Sequence, residues 1–399
     1  MLQNKQNKRG LKKLYNLHTW IGFNLAFVMF IVLATGTIAT LSNEIDWLVF
    51  PELRASQKPE NAPDAMQVDD WVGIYKSVTA AYPNSPITSM TKLDSEYLTF
   101  RVVVKNDTLH NRFIQVDPWT YEVLGDIPRL TVQRFFRDFH RYLFMPAFPG
   151  LLIVGPLSLV LFLSLYSGIK TTKNWRKALW RVRIKQGRRV LLSDLHKFLG
   201  LWGMWFTALI AITGAWYLYE FGNAVAGVSF ESGSPVIEEK KSDVSGIISP
   251  DEFKNIIISA QQTHTNWEIT SFYNSFTTNK AIQLRGVSNR NPVIRNRAQR
   301  VFIDPNTHNV VDAWSPKTIS THAYINEYAD PIHFGNFGGF WLKIIWFIFG
   351  LSLTAMSYTG VKMTWQRTKS SALTRTQKIT LPIFAFSLIA FSFWVVRFI

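Results

Sequence analysis

Four histidines are the residues of this chain whose placement indicates chemistry. His18 and His196 each open an apolar run, and in both cases a glycine follows four residues later, at Gly22 and Gly200. His140 and His333 precede two later apolar runs, which end alike in Tyr-Ser-Gly-Ile-Lys at 166–170 and Tyr-Thr-Gly-Val-Lys at 358–362. Histidine is a common metal ligand and is costly inside a bilayer. Two pairs of such histidines predict two metal or haem sites.

The composition indicates a membrane protein. Of the 399 residues 47% are hydrophobic, with 15 Trp and 30 Phe, which is too apolar and aromatic for an average soluble protein. A membrane span must cross about 30 Å of hydrocarbon. On that basis five spans are predicted, at 14–43, 142–169, 196–219, 338–361 and 379–396. Lys343, near the start of the fourth, is expected to snorkel to the interface.

The charge distribution predicts the topology. The net charge is +16, and Lys and Arg concentrate in the N-terminus (1–13) and in the loops 170–190 and 362–378. The positive-inside rule places these stretches in the cytoplasm. The acidic residues are mostly in the long segments 44–140 and 220–333, which are then extracytoplasmic. A bilayer explains the basic charge, so a nucleic-acid partner is disfavoured. The first apolar run is long, and it is interpreted as a retained helix and not as a cleaved signal peptide.

An internal repeat organises the chain. His196 follows His18 by 178 residues, Asp304 follows Asp117 by 187, and His333 follows His140 by 193. Each half therefore reads as a His-led helix, an extramembrane segment and a second His-led helix. The predicted fold class is an α-helical membrane protein with a four-helix core, a fifth C-terminal span and two periplasmic α+β domains.

Each extramembrane segment has the pattern of a helix followed by strands. Helices are predicted at 69–81 and after the Ser249-Pro250 start signal. Alternating β-branched residues predict strands at 97–105, 113–116, 267–273, 281–287 and 300–303. Asp117-Pro118 and Asp304-Pro305 are interpreted as hairpin turns in preference to catalytic groups.

The topology matches the histidines by depth. His18 and His196 fall at the cytoplasmic ends of spans one and three, and His140 and His333 at the outer ends of spans two and four. A lone histidine at a helix end is more often an interfacial residue, but two depth-matched pairs within a repeat favour the axial ligation of two b-type haems. Each pair offers only two nitrogens, which disfavours zinc or non-haem iron. The absence of cysteine excludes iron–sulfur clusters and covalent haem.

Other residues are candidates for supporting roles. Gly22 and Gly200 are expected to leave room for a haem beside the inner pair, and Gly335, Gly338 and Gly339 beside His333. Lys12, Lys13 and Lys197 inside, and Arg137 and Arg141 outside, are available to haem propionates. His322 is an alternative outer ligand, whereas His110, His264 and His308 receive no role. No nucleotide-binding or hydrolase motif is present, so a cytoplasmic electron donor would be another molecule.

The motifs resemble those of the PepSY-associated transmembrane family, the bacterial iron-regulated membrane proteins. The resemblance covers about residues 10–368. It rests on Leu17-His18-x-Trp20-x-Gly22, on Leu195-His196 with Gly200-Leu201-Trp202, on Ile332-His333-Phe334-Gly335 with Gly338-Gly339, and on two Val/Ile-Asp-Pro-x-Thr hairpins. PepSY domains usually carry glycine after that threonine, where this chain has Tyr121 and His308. The resemblance implies an inner-membrane protein with periplasmic PepSY domains; some members are haem-containing ferric-siderophore reductases, and others carry flavin domains that this chain lacks.

The sequence therefore predicts an inner-membrane electron-transfer protein. Two non-covalent, bis-histidine haems b would pass electrons from an unidentified cytoplasmic donor to a periplasmic ferric siderophore, without a catalytic side chain. The substrate is expected to dock near the outer haem, at Arg134, Arg137, Arg141 and Tyr328. Two alternatives remain: a non-enzymatic PepSY scaffold or accessory protein of siderophore uptake, and a siderophore or metal transporter. The transporter ranks last because the spans contain essentially no charge at mid-membrane.

Overall fold

The computed structural model describes residues 2–63, 65–106, 108, 112–228, 235–237, 247–264, 267–274, 280–288, 293–295, 298–367 and 375–396. His110 lies outside this set. The helices are α1 (Leu2–Asn24), α2 (Ala26–Thr40), α3 (Ser42–Val49), α4 (Val68–Ala81), α5 (Val132–Tyr142), α6 (Ala147–Val154), α7 (Leu157–Thr171), α8 (Trp175–Ala178), α9 (Arg188–Trp202), α10 (Met204–Val225), α11 (Pro250–Thr263), α12 (Thr321–Phe334), α13 (Gly339–Arg367) and α14 (Arg375–Val396). The strands are β1 (Ile87–Lys92), β2 (Phe100–Val104), β3 (Arg112–Val116), β4 (Val123–Pro128), β5 (Trp267–Tyr273), β6 (Ile282–Ser288), β7 (Gln299–Ile303) and β8 (Val310–Trp314).

Within the described residues, two helical stretches are long and apolar enough to cross a membrane, one at 147–171, formed by α6 and α7, and one at 336–363. Two bent pairs bring the number to four if each pair is one span. The predicted fifth span corresponds to α14, whose described apolar part, Ala385–Val396, is shorter than a span. The structure thus supports two to four of the five predicted spans.

The spans predicted at 14–43 and 196–219 are not straight helices. The axis bends by 70° between α1 and α2 and by 65° between α9 and α10. Each bend lies seven residues after a histidine, at Leu25 and Gly203. The amide of Asn24 donates to the carbonyl of Trp20 at 2.9 Å, and Thr207 Oγ1 donates to the carbonyl of Gly203 at 2.8 Å. Side chains that bond backbone carbonyls in this way bend helices.

The helix packing repeats between the two halves. In the first half α1 packs against α7 and α2 against α5; in the second, α9 packs against α13 and α10 against α12. The halves interlock because α2 also contacts α13, and α10 also contacts α7. Small residues allow these approaches: a methyl group at Gly214 would lie 2.9 Å from Ser158 Cβ, and one at Gly350 would lie 2.7 Å from Thr37 Oγ1.

The two extramembrane segments share one sheet. All eight strands are antiparallel, in the order β4-β3-β2-β1-β5-β6-β7-β8, and β1 pairs with β5 across the halves. Helices α4 and α11 pack together, with the rings of Tyr75 and Phe253 stacked 4.1 Å apart. Both rings are fully or almost fully buried in one common core. The helix-then-strands pattern is confirmed in both segments, but β1 was missed because Ile87–Lys92 lacks a strong apolar alternation.

The two Asp-Pro sites form the predicted hairpin turns, between β3 and β4 and between β7 and β8. Asp117 Oδ1 accepts from the amide of Trp119 at 2.8 Å, and Asp304 Oδ1 from that of Asn306 at 2.7 Å. Tyr121 and His308 take the left-handed conformation, with φ of 62° and 58°. Tyr121 and His308 therefore adopt the turn conformation that glycine usually provides, at a cost of about 1–2 kcal/mol each.

Lys343 does not snorkel. Its side chain is 6% exposed, and Nζ donates to Glu44 Oε1 at 2.7 Å. Glu44 also accepts from the hydroxyl of Tyr97 at 2.9 Å. The prediction was wrong because the sequence around Lys343 does not reveal the acidic partner, which is supplied by α3, 299 residues away.

Candidate functional site

The structure brings the four histidines together in two pairs. The ring centroids of His18 and His196 are 6.1 Å apart, and those of His140 and His333 are 6.2 Å apart. His18 is near the end of α1 and His196 in α9, whereas His140 is near the end of α5 and His333 near the end of α12. Each pair joins one histidine from each half of the repeat.

The spacing within each pair suits two imidazoles on opposite sides of one metal ion. A metal–nitrogen distance of about 2.0 Å on each side puts the two ring centroids about 6.3 Å apart. The observed 6.1 and 6.2 Å are close to that value. Each pair thus has the centroid separation expected of two imidazoles that share one metal ion.

In the inner pair, Nδ1 of each ring is held by a neighbouring helix. Nδ1 of His18 lies 3.1 Å from the carbonyl of Ser164 and 3.0 Å from Ser167 Oγ. Nδ1 of His196 lies 3.0 Å from the carbonyl of Met356 and 3.1 Å from Thr359 Oγ1. A carbonyl only accepts, so Nδ1 carries the proton, and Nε2 keeps the lone pair that a metal needs.

The outer pair has the same arrangement with different partners. Nδ1 of His140 donates to the carbonyl of Val32 at 2.7 Å. Nδ1 of His333 lies 2.8 Å from Thr213 Oγ1. The hydroxyl of Thr213 donates to the carbonyl of Leu209 at 2.8 Å, so its oxygen is available to accept from His333. All four histidines therefore offer Nε2.

A Ser/Thr-Gly dipeptide accompanies each histidine, and sequence reasoning missed its role. The four dipeptides are Ser167-Gly168 beside His18, Thr359-Gly360 beside His196, Thr35-Gly36 beside His140 and Thr213-Gly214 beside His333. Methyl groups at Gly168 and Gly360 would lie 3.4 and 3.3 Å from Cε1 of the respective histidine. At Gly36 the distance to Cε1 of His140 would be 2.6 Å. The repeat of the dipeptide in the sequence was the available signal.

The inner pair opens onto a cavity of about 250 Å³ between the helices. It is mostly apolar, with Leu33, Leu161 and Met356 in its wall, and Lys197 also lines it. Gly22, Gly168, Gly200 and Gly360 all line it. A methyl group at Gly22 would meet nothing within 4 Å, so this glycine faces open space beside His18.

The two pairs lie at different levels of the bundle. On α7, Ser158 meets Gly214 beside the outer pair, and Gly168 meets His18, ten residues later. On α13, Gly350 meets Thr37 of α2, next to Gly36 at His140. His196 meets α13 at Gly360, also ten residues later. Ten helical residues rise about 15 Å, so both helices give the same separation of the two levels.

Ion pairs with one buried or nearly buried partner lie close to three of the histidines. Asp138, two residues before His140, accepts from Arg134 Nε at 2.7 Å, and Asp194, two before His196, accepts from Arg183 Nε at 2.7 Å. Asp330, three before His333, accepts from Arg295 Nη1 at 2.5 Å.

Arg295, between β6 and β7, links the sheet to the helix that carries His333. Burial lowers the pKa of Arg295, but the carboxylates of Asp330 and Glu327 outweigh it and raise this pKa. Tyr217 donates to Asp330 at 2.7 Å, and its ring lies 5.3 Å from that of His333. The Arg295 network therefore ties the extramembrane segment to the helix of His333.

The start of α5 is capped by another helix. Asp46 of α3 accepts from the amides of Val132 and Gln133, at 2.6 and 3.1 Å. Desolvation raises the pKa of Asp46 although these bonds favour its charged form. The cap neutralises the exposed amides at the N-terminus of the helix that leads to His140.

The predicted docking residues are on two helices. Arg134, Arg137 and Arg141 share one face of α5, as their spacing of three and four residues requires. Arg134 is used in the ion pair with Asp138, and Arg141 stacks over Tyr142 at 5.1 Å. Tyr328 is on α12 and shares a hydrogen bond of 2.8 Å with Tyr324.

The glycines near His333 lie where α12 turns into α13. Gly335 takes φ of 71° as the C-cap of α12, and a methyl group there would lie 2.5 Å from the ring of Trp346. A methyl group at Gly338 would meet Leu342 at 2.7 Å. Gly339 takes φ of 68° at the start of α13. These three glycines lie in the tight connection between α12 and α13, and their expected role beside a haem stays a prediction.

His322 is not positioned as an alternative outer ligand. It precedes His333 by eleven residues on the same helix, a rise of about 16 Å, and it lies 3.8 Å from Glu220 Oε1. His264 and His308 are in the sheet segment. Among the described residues no three His, Asp or Glu side chains gather in a way that could hold a metal ion.

A family model described as "PepSY-associated TM region" matches residues 15–367 of the chain. The match begins just before His18, includes all four histidines, and ends with α13, so that α14 lies beyond it. No curated protein matches the chain.

Proposed function

The chain belongs to the family of PepSY-associated TM regions, and from that premise we propose that it is a membrane electron-transfer protein with two bis-histidine haems b. The observation that carries the proposal is the equal spacing of two histidine pairs, 6.1 and 6.2 Å between ring centroids, at two levels of one helix bundle. Structural histidines would have no reason to share the spacing that suits a hexacoordinate iron.

The residues of the chain fit this group. His18 and His196 would ligate the inner iron through Nε2, and His140 and His333 the outer one. The Nδ1 bonds to Ser164, Met356, Val32 and Thr213 fix each ring and raise its basicity. The cavity at the inner pair provides apolar walls, and Gly22 faces its open space. Lys197 at its edge is the cation best placed to pair with a propionate.

A haem iron supplies reversible one-electron transfer between its ferric and ferrous states. The role of the protein is to hold two such groups about 15 Å apart along the bundle, as the ten-residue offsets on α7 and α13 indicate. The side chains exclude water and keep each imidazole neutral and oriented. No proton-transferring side chain is needed for the step.

The direction follows from the charge distribution. With the basic loops in the cytoplasm, the inner pair faces a cytoplasmic donor and the outer pair a periplasmic acceptor. The proposed acceptor is a ferric siderophore in the periplasm of a bacterium with this protein in its inner membrane. One electron converts the bound ferric ion to ferrous ion, which hard oxygen ligands bind more weakly. Arg137 and Arg141 on α5 are exposed and would attract an anionic chelate.

The test is a visible spectrum of the purified full-length protein, oxidised and then reduced with dithionite. A Soret band and two haems per chain by pyridine haemochrome are expected. His18→Ala and His140→Ala should each remove about half of the haem, whereas His308→Ala, in the β7–β8 turn, should remove none.

A colourless protein after expression with ample haem would refute the proposal and leave the scaffold alternative. Loss of all haem from either single substitution would refute two separate sites. Reduction of a ferric hydroxamate in proteoliposomes with dithionite inside, and its loss in His140→Ala, would test the acceptor.

A further inference from the structure

Helix α14 packs against the helix that carries His140. The indole Nε1 of Trp394 donates to Asp138 Oδ2 at 2.8 Å, and the hydroxyl of Ser387 donates to the carbonyl of Leu143 at 2.8 Å. Trp394 and Ser387 are 7% and 3% exposed, whereas Phe393 on the other face of α14 is 74% exposed. The two bonds fall two residues before and three residues after His140. α14 therefore contacts α5 before His140 and, after His140, the residue that directly follows α5.

The first bond completes the environment of a buried carboxylate. Asp138 is 5% exposed and accepts from Arg134 Nε and from the Trp394 indole, at its Oδ2 atom in both cases. A buried carboxylate is costly unless it is paired and hydrogen-bonded. Removing the indole donor would push Asp138 toward solvent, and α5 would turn with it.

The second bond holds an unusual backbone. Leu143 and Phe144, directly after α5, both take left-handed conformations, with φ of 52° and 60°. Two consecutive non-glycine residues in that region are strained and persist only where the surroundings impose them. Here α14 supplies those surroundings: the ring of Phe144 lies 4.8 Å from each of Phe391 and Trp394.

The second half of the repeat anchors its outer histidine differently. The helix of His333 is held by Arg295 and Tyr217, through Asp330. α14 is outside the repeat and outside the matched family region, 15–367. We infer that α14 is an added positioning element for the outer histidine pair, and that Trp394 and Ser387 are the positioning residues that set the orientation of His140.

The inference about α14 and α5 can be tested without haem. Hydrogen exchange in full-length Trp394→Phe and Ser387→Ala is compared with two controls on the exposed face of α14, Phe393→Leu and Ser392→Ala. Loss of a hydrogen bond to a buried charged group is expected to speed amide exchange in 132–145 about tenfold in Trp394→Phe. Exchange in 188–202, which contains His196, should not change. If amides in 132–145 exchanged at the wild-type rate in both Trp394→Phe and Ser387→Ala, the inference would be overturned.

A second readout rests on the proposed function. In the haem-containing protein, Trp394→Phe should shift the low-spin electron paramagnetic resonance signal and the midpoint potential of one haem and leave the other unchanged. The haem that shifts should be the one lost in His140→Ala. A shift confined to the haem lost in His18→Ala would overturn the inference. A haem-free wild type would refute the proposed function alone, because the exchange experiment still decides whether α14 positions α5.

Discussion

At the residue scale, the histidines whose Nδ1 lies near a hydroxyl depend on that hydroxyl to different extents. Nδ1 of His196 has the carbonyl of Met356 at 3.0 Å in addition to Thr359 Oγ1. Among the described residues, Thr213 Oγ1 is the one acceptor within hydrogen-bond distance of His333 Nδ1. Thr213 therefore orients the ring of His333, whereas Thr359 and the carbonyl of Met356 together orient the ring of His196.

Thr213→Val is accordingly expected to weaken the outer site more than Thr359→Val weakens the inner one. Loss of a partner to the second nitrogen of a ligating imidazole costs about 10–100-fold in affinity. The measurement is haem transfer to an excess of apomyoglobin, followed in the Soret band. One haem should leave Thr213→Val about 10–100-fold faster than wild type, and Thr359→Val should stay close to wild type. Equal effects of the two substitutions would contradict this assignment.

A substitution at Gly22 can test the space around the inner pair without changing the packing of the protein. A methyl group there would meet no atom within 4 Å, but it would enter the cavity that His18 and His196 line. Gly22→Ala is therefore expected not to lower the melting temperature of the haem-free protein and to raise it slightly, since alanine favours helix over glycine by about 1 kcal/mol. The haem lost in His18→Ala should bind several-fold more weakly. Unchanged haem binding would mean that the porphyrin does not occupy this cavity.

The pairing of the histidines was predictable from the sequence because the repeat and the charge asymmetry predict equal depths for the two members of each pair. The dipeptide partners were visible only as matching ends of two runs, at 166–170 and 358–362, and their contact with His18 and His196 requires helix packing. Lys343 was misjudged for the same reason, since its partner Glu44 is remote in sequence.

At the element scale, α2 and α5 approach so closely that a glycine is required. A methyl group at Gly36 would lie 2.6 Å from Cε1 and 2.7 Å from Nδ1 of His140. The ring is held there by the carbonyl of Val32, so it cannot move without losing its hydrogen bond. The bends after α1 and α9 were not predictable, because hydropathy reports length and apolarity but not the axis of a helix.

Gly36→Ala should displace His140 and remove the outer haem, while the inner haem remains. Overpacking of this kind typically lowers the free energy of unfolding by about 1–3 kcal/mol, which should weaken the fold without preventing folding. Gly222→Ala on α10 is the matched control, since a methyl group there meets nothing within 4 Å. Haem stoichiometry by pyridine haemochrome should fall from about two to about one in Gly36→Ala only. Retention of both haems would show that the ring can relocate and still ligate.

At the scale of the whole molecule, the two extramembrane segments form one unit. The sequence predicted two domains, because each segment has its own helix and strands. The structure joins them by the β1–β5 pairing, in which Met90 lies opposite Phe272, and by the stacked rings of Tyr75 and Phe253. Pairing between strands 180 residues apart has no local signature. The joined sheet contains strands from both halves of the repeat. Helices α3 and α12 connect it to the end of the bundle that carries the outer histidine pair.

A shared core predicts cooperative unfolding of both extramembrane segments. Phe253 is fully buried in the second segment and contacts Tyr75 of the first. Phe253→Ala should destabilise both segments together by about 3–5 kcal/mol. The protected amides of 100–104 and of 282–288 should then lose protection by the same factor in hydrogen exchange. Val310→Ala, at a position 40% exposed, is the control and should change neither. If only 282–288 lost protection, the two segments would be independent domains, and the Arg295 network could not pass a change in the first segment to the helix of His333.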